Sequence, residues 1–134
     1  MSKPCPFCQP KSFPEQIIRQ VSLGYAKWDQ SPAASGHALI IPKRHIASMF
    51  ELTMGEMVDL FELLREAKYA VEQQFQPASY TIGINDGPVA GQTVGHLHIH
   101  LIPRYIGDVD DPRGGIRRIF PDDPYIRQLG ASGA

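Results

Sequence analysis

Cysteine and net charge are both scarce in this chain of 134 residues. Two cysteines are too few for a scaffold held together by disulfides. The formal net charge of −1 at pH 7 provides no overall basic field of the kind that attracts nucleic acids or anionic membranes. No apolar run approaches the length of a membrane span, and no signal-peptide pattern is present. These absences predict a cytoplasmic protein that acts without a nucleic-acid or membrane partner.

The composition that is present is typical of a soluble globular protein. Hydrophobic residues make up 43% and charged residues 20% of a chain that is long enough to bury a sizeable core. We therefore expect one domain over residues 1–134, with a proline-broken segment at 1–14 and a proline- and glycine-rich tail at 106–134. The final residues, 131–134, are expected to be disordered.

Residues 54–75 carry a clear helical pattern. Thr53, followed three residues later by Glu56, forms a capping-box pattern that marks a helix N-terminus. Apolar side chains recur at helical spacing and are expected to face the core, so that the helix covers one face of a sheet. This stripe consists of Met57, Leu60, Phe61, Leu64, Ala67, Val71 and Phe75.

Five segments have the apolar patterns of strands, namely 16–21, 25–28, 37–42, 79–85 and 96–105. The first two are separated by a turn signal and predict a hairpin. The third is a continuous apolar run that ends at a proline, which is typical of a central buried strand. Strands followed by one long helix and further strands predict an α+β fold with a mostly antiparallel sheet.

Three of the five histidines, His96, His98 and His100, alternate with apolar residues. Alternate side chains of a strand share one face, so the imidazoles are expected in a row, roughly 6–7 Å apart. Such a row can bind a metal, hold an anion or supply a nucleophile with its supports. The glycine-rich loop at 87–95 leaves backbone amides free to approach phosphate oxygens. The simpler alternative is a strand whose solvent-facing residues happen to be histidines.

The two cysteines stand close together, as Cys5-Pro6-Phe7-Cys8. In a reducing compartment such a pair is typical of metal binding or redox chemistry rather than of a structural disulfide. Thioredoxin-type redox chemistry requires the pair at the start of a helix, whereas prolines surround this pair. A structural zinc site needs two further cysteine or histidine ligands from elsewhere in the chain. Buried thiols without a metal are the remaining alternative.

The histidine row and its flanks resemble the histidine triad (HIT) superfamily of nucleotide hydrolases and transferases. The family signature, His-φ-His-φ-His-φ-φ with φ apolar, is matched by residues 96–102, and residues 91–94 and 103–104 are also similar. The resemblance covers residues 5–105 and is closest to the bacterial diadenosine-tetraphosphate hydrolase-like and fragile histidine triad-like branch, with a weaker match in the tail. It implies a HIT-like fold, an antiparallel sheet of about five strands with one long helix. It also implies a homodimer formed through the helix and a strand.

The resemblance implies a catalytic set of His98, His100, His96 and His37. The middle triad histidine of the family attacks the α-phosphate of a nucleotide conjugate, which is the position of His98. His100 would hold the His98 ring or meet the phosphate oxygens, and His37 matches a position that supports the third triad histidine. The alternative for His37 is a core histidine with no catalytic effect.

The implied substrate-binding set is Asp29, Asn85, Gln92 and Thr93. Asp29 matches a position that grips the ribose hydroxyls, and Gln92 and Thr93 match positions that contact the phosphate and the leaving group. Asn85 lies where some relatives place a glutamine. Turn formation by Asp29 and ordinary loop roles for Gln92 and Thr93 are the alternatives.

Superfamily branches with an N-terminal Cys-x-x-Cys bind zinc, and the resemblance carries their ligands onto Cys5, Cys8, His45 and His96. This zinc would be structural, because four protein ligands leave no open position. It would tie the N-terminal segment to the triad strand. Magnesium is expected only as a companion of a polyphosphate substrate.

These observations predict a hydrolase that cleaves dinucleoside polyphosphates, such as diadenosine tetraphosphate, at the α-phosphate through a nucleotidyl-histidine intermediate. The alternatives are a nucleoside phosphoramidase or nucleotidyltransferase of the same superfamily, and a nucleotide-binding protein without turnover. Two roles are open for the tail arginines Arg113, Arg117 and Arg118, which are the binding of distal phosphates and pairing with nearby aspartates.

Overall fold

The computed structural model describes residues 4–130, and the disorder expected at residues 131–134 concerns residues outside that range. Within it, five strands form one sheet in the order β1-β2-β3-β5-β4, and all neighbouring strands are antiparallel. Among residues 4–130, no helix combines the length and the hydropathy that a membrane span requires. The elements are β1 (Ile17–Gln20), β2 (Gly24–Trp28), β3 (Ala38–Pro42), α1 (Met54–Phe75), β4 (Ser79–Gly83), β5 (Ile99–Arg104) and α2 (Pro124–Gln128).

The α+β fold with a five-stranded antiparallel sheet and one long helix confirms the prediction. Apart from β2, which begins one residue early, each strand lies inside its predicted segment. Near the start of the described range the chain forms three short 3₁₀ turns, and each has a proline in its first turn. These turns are Pro6–Cys8, Pro10–Ser12 and Pro14–Gln16.

Both faces of the sheet carry buried side chains, because successive residues of each strand alternate between them. On one face Ala26, Ile40 and Leu101 pack against α1. On the other face Tyr25 and Leu39 pack against side chains from the N-terminal segment and β1. The covering side chains of this second face are Phe7, Phe13 and Ile17. All five residues of β3 are buried, as expected for a central strand.

The bounds of α1 agree with the prediction, but the expectation that Met57 and Phe61 belong to the core was wrong. Met57 is 43% exposed and Phe61 is 63% exposed, whereas Leu63, which the stripe omits, is fully buried. With 3.6 residues per turn, the apolar residues of α1 form two faces. One face packs on β1, β2 and β3, and the other points outward. The sequence pattern does not show which of the two faces meets the sheet.

Glu56 ties the start of α1 to the turn after β3. Its carboxylate accepts hydrogen bonds from the Thr53 backbone N–H (2.9 Å) and from Arg44 Nε and Nη2 (3.1 and 2.8 Å). The Glu56 N–H donates in return to Thr53 Oγ1 (3.1 Å), which confirms the capping box. The hydrogen bonds from Arg44, assisted by those from Thr53, lower the pKa of Glu56 to about 2.

Glu56→Gln is expected to lower the free energy of unfolding by about 1–3 kcal/mol at pH 7, because charge-assisted bonds to a buried carboxylate are lost. The folded-state pKa lies below the ordinary value of 4.5, so this stabilisation is complete above pH 4.5 and disappears as the pH falls toward 2. Urea unfolding across this window should show variant and wild type converging. Glu62→Gln, at an exposed position of the same helix, is the control and should change little. A gap that stays constant with pH would contradict this account.

Candidate active site

The histidine row lies partly ahead of β5 rather than within it. The strand predicted from residue 96 begins at Ile99, because the pairing with β3 ends where Ile40 meets Ile99. The Leu97 N–H instead donates to the Ile46 carbonyl oxygen (2.7 Å) and keeps the chain extended. Leu97 and Leu101 consequently pack in the core under α1, while the three imidazoles face the other side of the sheet.

The hydrogen bond at His98 leaves one ring nitrogen free. His98 Nδ1 lies 2.8 Å from the backbone oxygen of His96, and a carbonyl oxygen can only accept. The proton is therefore on Nδ1, and Nε2 keeps its lone pair. In this tautomer the imidazole is a nucleophile. Its ring centroid lies 5.0 Å from that of His100, so the two side chains can act on one group.

His100 is held by a chain of hydrogen bonds that runs through His37. The Ala33 N–H donates to His37 Nδ1 (3.0 Å), so the His37 proton is on Nε2. His37 Nε2 donates in turn to His100 Nδ1 (3.0 Å), which places the His100 proton on Nε2. His100 thus presents an N–H donor that suits a phosphate oxygen.

Burial favours the neutral form of both rings of this chain. It lowers the pKa of His37 and of His100, against the opposing effect of the Asp29 carboxylate on each. Asp29 Oδ2 lies 3.4 Å from His37 Nε2, and Asp29 Oδ1 accepts from the Ser31 N–H (2.7 Å). Asp29 therefore does form a turn and also borders the histidine chain, while its contact with ribose stays a prediction.

The loop that precedes the triad uses Gln92 to hold its own shape. Gln92 Oε1 accepts from the Gly87 N–H (2.8 Å), and Nε2 donates to the Ala47 carbonyl oxygen (2.9 Å). The side chain therefore ties the loop to the turn after β3. Thr93 and Asn85 are exposed. Substrate contacts of these three polar residues stay predictions.

Two cysteines and two histidines meet next to the triad and can hold a metal ion. The Sγ atoms of Cys5 and Cys8 and the Nδ1 atoms of His45 and His96 lie within 4.8 Å of one another. His96 Nδ1 is 3.4 Å from Cys5 Sγ and 3.5 Å from Cys8 Sγ. His45 Nδ1 is 3.2 Å from both Cys8 Sγ and His96 Nδ1. Ordinary zinc bond lengths in a tetrahedron require about 3.6 Å for nitrogen–sulfur and about 3.3 Å for nitrogen–nitrogen pairs.

A hydrogen bond behind His96 prepares the ring for this role. His96 Nε2 donates to the Pro42 carbonyl oxygen (2.7 Å), so Nδ1 keeps the lone pair that faces the cysteines. A ligating histidine typically donates its other N–H in this way. The tautomer of His96 therefore fits metal binding, as do the distances between the ligand atoms.

A second group of potential ligands, Asp29, His37 and His100, does not fit a metal in the same way. Its three ligand atoms also lie within 4.8 Å of one another. The Ala33 amide, however, occupies His37 Nδ1 and leaves the proton on Nε2, which is the atom that would have to bind the ion. The group is therefore a hydrogen-bonded chain.

Sequence reasoning missed the backbone groups that fix the three tautomers. The Ala33 N–H and the Pro42 and His96 carbonyl oxygens select which ring nitrogen carries the proton. Backbone groups have no signature in a sequence, so no signal for them was available. Phe7 was also missed, although it lies inside the Cys5–Cys8 motif. Its ring centroid is 6.1 and 5.1 Å from those of the first two triad histidines.

The amino-acid sequence is similar to those of known proteins. The asymmetrical bis(5'-nucleosyl)-tetraphosphatase of Schizosaccharomyces pombe is 38% identical over 96 residues, which cover 72% of this chain and 53% of that protein. The chain spans about half the length of the curated relatives it matches.

Solved structures are similar as well, and one of them contains zinc. A HIT family protein from Bacillus anthracis has a TM-score of 0.70 at 33% identity, covering 78% of this chain and 76% of that one. A Zn-bound histidine triad family protein from Mycobacterium smegmatis has a TM-score of 0.68 at 29% identity, covering 78% of this chain and 77% of that one. The model of the HIT domain matches residues 11–107. The chain belongs to the HIT domain family, whose histidine triad is His96, His98 and His100.

Proposed function

We propose that the protein hydrolyses dinucleoside polyphosphates, such as diadenosine tetraphosphate, with His98 as the nucleophile. The observation that carries this proposal is the tautomer of His98. Its Nδ1 is committed to the His96 carbonyl oxygen, and its Nε2 has no hydrogen-bond partner among residues 4–130. The His98 and His100 ring centroids lie 5.0 Å apart. Similarity to a protein named as a bis(5'-nucleosyl)-tetraphosphatase supports the substrate class.

The first chemical step forms a covalent intermediate. The Nε2 lone pair of His98 attacks the α-phosphorus, and the bond from phosphorus to the bridging oxygen of the leaving nucleoside polyphosphate breaks. The His98 ring gains positive charge, which the His96 carbonyl oxygen stabilises through Nδ1–H. The N–H of His100, oriented by His37, donates to the phosphate oxygens as their charge develops.

The second step returns the enzyme to its starting state. Water attacks the phosphorus, the phosphorus–nitrogen bond breaks, the nucleoside monophosphate leaves and one proton passes to solvent. Asp29 is proposed to hold the ribose hydroxyls, since its Oδ2 borders His37 on the face of the triad. Asn85, Gln92 and Thr93 are proposed to contact the phosphates from the loop side.

Product analysis tests this function. Diadenosine tetraphosphate should yield adenosine mono- and triphosphate in equal amounts, with or without magnesium, which is expected to act only through the substrate. A clear preference for adenosine 5′-phosphoramidate would favour the phosphoramidase alternative. Tight binding of adenosine monophosphate without turnover of either substrate would favour a binding protein.

The metal cluster is proposed to hold one structural zinc ion through Cys5, Cys8, His45 and His96. The similarity to a Zn-bound histidine triad protein supports the choice of metal, as does the mixed sulfur and nitrogen donor set. Bound zinc would supply no chemistry, because its four positions are taken by the protein. The residues themselves would then fix the N-terminal segment, and with it Phe7, against the triad.

We also propose that the protein forms a homodimer through α1 and β4. The outward face of α1 exposes Met54, Val58 and Phe61 at 74%, 59% and 63%. Ile82 of the edge strand β4 is also exposed, on the face of the sheet that α1 covers. Exposed apolar side chains grouped in this way are typical of interaction sites.

Phe61→Glu is expected to convert the dimer into a monomer, because it places a charge in the centre of this apolar face. Light scattering after size-exclusion chromatography measures the mass. Gln73→Glu adds one charge at an exposed position of the same helix, outside the apolar face, and should leave the mass unchanged. A monomeric wild type, or a dimeric Phe61→Glu variant, would contradict this interface.

A further inference from the structure

We infer that the departing half of the substrate crosses the sheet at Gly83 and binds its nucleoside in a cavity under the C-terminal segment, defined here as residues 106–130. The inference rests on the proposed function, because it assigns a place to the second half of a dinucleoside polyphosphate. Two observations carry it. Space is open above Gly83, and a cavity follows in the next row of residues.

Gly83 leaves a gap on the face of β4 that carries the catalytic groups. It pairs in register with His100, so the two residues lie side by side and point to the same face. A Cβ atom at Gly83 would meet no atom within 4 Å, and the residue does not have a positive φ. The backbone therefore does not require glycine here. A glycine inside a strand is typical of a place where a ligand approaches closely.

The direction of the leaving group follows from the groups around His100. Asp29 and His37 lie on the side of β2 and β3, where the ribose of the attacked nucleotide is proposed to bind. The nucleophile and the leaving oxygen stand in line on opposite sides of the phosphorus. In-line geometry fixes the leaving oxygen opposite His98, and the side of β2 and β3 is assigned to the attacked nucleoside. The polyphosphate chain is therefore proposed to run over the open side, toward β4 and across Gly83.

Beyond Gly83 the same face opens into a cavity of about 620 Å³. Thr81 and Ile102 are the next pair on the same face after Gly83 and His100, and they form its floor. Small-molecule sites measure about 300–1,000 Å³, so the cavity has room for a nucleoside. Its other apolar walls are Ala33, Ala34, Val109 and Pro112.

The C-terminal segment is anchored firmly enough to serve as a wall. Arg104 Nε and Nη2 donate to both carboxylate oxygens of Asp108 (2.7 and 2.9 Å). Tyr105 Oη donates to the Ser35 carbonyl oxygen (2.6 Å), which joins the start of the segment to the loop that carries Asp29. Further along, Gly114 has a φ of +88°, and a Cβ there would collide with α2. These contacts connect the start of the segment to β5 and to the loop after Asp29, and they place Gly114 against α2.

Most charges of the segment are paired within it. Arg113 and Arg117 each lie 3.0 Å from a carboxylate oxygen, of Asp111 and Asp123 respectively. For these two arginines, pairing with aspartates is therefore what the structure shows. Arg118 borders the cavity, with its guanidinium 3.6 Å from Asp111 and its side chain 40% exposed.

The other charged side chains at the cavity are compatible with an uncharged nucleoside at the end of a phosphate chain. Arg104 pairs with Asp108, so their charges offset each other at the cavity. Asp110 also lines the cavity and forms no ion pair among residues 4–130. Its carboxylate can accept hydrogen bonds from ribose hydroxyls, and Arg118 can donate to the last phosphate.

Val109→Trp places a large side chain in the cavity and tests whether the second nucleoside binds there. We expect kcat/KM for diadenosine tetraphosphate to fall about tenfold relative to kcat/KM for adenosine 5′-phosphoramidate, which has no second nucleoside. Ile119→Trp, at an exposed position of the same segment outside the cavity, is the matched control and keeps the wild-type ratio. An equal loss on both substrates, or no loss on either, would overturn the inference.

A binding experiment separates this inference from the proposed function. If the wild type turns over neither substrate, the proposed function fails. In a His98→Ala background, diadenosine tetraphosphate should still bind about tenfold more tightly than adenosine monophosphate, and Val109→Trp should remove that difference. A difference that survives in Val109→Trp would overturn the inference whatever the outcome of the turnover assay.

Discussion

His98→Ala is expected to lower kcat for diadenosine tetraphosphate by at least about 10³-fold, because the attacking Nε2 is removed while the substrate site is left in place. In the wild type, a base quench within milliseconds to seconds should trap an adenylyl group on the protein, which intact mass spectrometry measures. Base is chosen because a phosphoramidate on histidine survives it better than acid. The variant should show no such adduct.

His37→Phe is the matched control, since it removes a different histidine, the one that donates to His100, and keeps a ring of similar shape. Loss of the donor to His100 Nδ1 should slow turnover by about 10- to 100-fold and still allow the adduct to form. Full activity of His98→Ala would exclude nucleophilic catalysis at this residue. A normal rate in His37→Phe would favour the alternative that His37 is a core histidine with no catalytic effect.

Replacement of both cysteines, as Cys5→Ser with Cys8→Ser, is expected to remove about one zinc ion per chain and to lower the melting temperature by about 10 °C or more. The reason is that the proposed metal would join three parts of the chain that are far apart in sequence, at residues 5–8, 45 and 96. Metal content is measured by inductively coupled plasma mass spectrometry, and melting by calorimetry.

A chelator supplies the control for this experiment. It should destabilise the wild type to a similar extent and should have no effect on the double variant, which has no metal to lose. A double variant that keeps its zinc would show that other residues bind it. A wild type without metal whose cysteines form a disulfide would favour the redox alternative, whereas both thiols are free in the structure.

The fold could be predicted well where the sequence pattern acts locally. The bounds of α1 follow from the capping box at Thr53 and Glu56 and from the helical spacing after it. The pattern failed where two apolar faces competed, since Phe61 and Leu63 are equally apolar and only the packing of α1 on the sheet buries one of them. It failed again at His96, because a strand extends only as far as its neighbour supplies partners.

The residue types of the site follow from local patterns in the amino-acid sequence. Three histidines at alternate positions, and two cysteines separated by two residues, are local patterns that a strand and a short turn convert into shared faces. The meeting of Cys5 and Cys8 with His45 and His96 could be proposed only through a family resemblance, because it joins residues up to 91 positions apart.

Which nitrogen of each ring is free depends on contacts that form only in the folded chain. His96 donates to a carbonyl oxygen 54 positions away, and His100 accepts from a ring 63 positions away. An isolated imidazole has two nitrogens that can each carry the proton, and the difference between a ligand, a donor and a nucleophile depends on the partner that folding brings to one of them. The residues were readable from the sequence, and the fold assigned their roles by placing backbone and ring partners beside them.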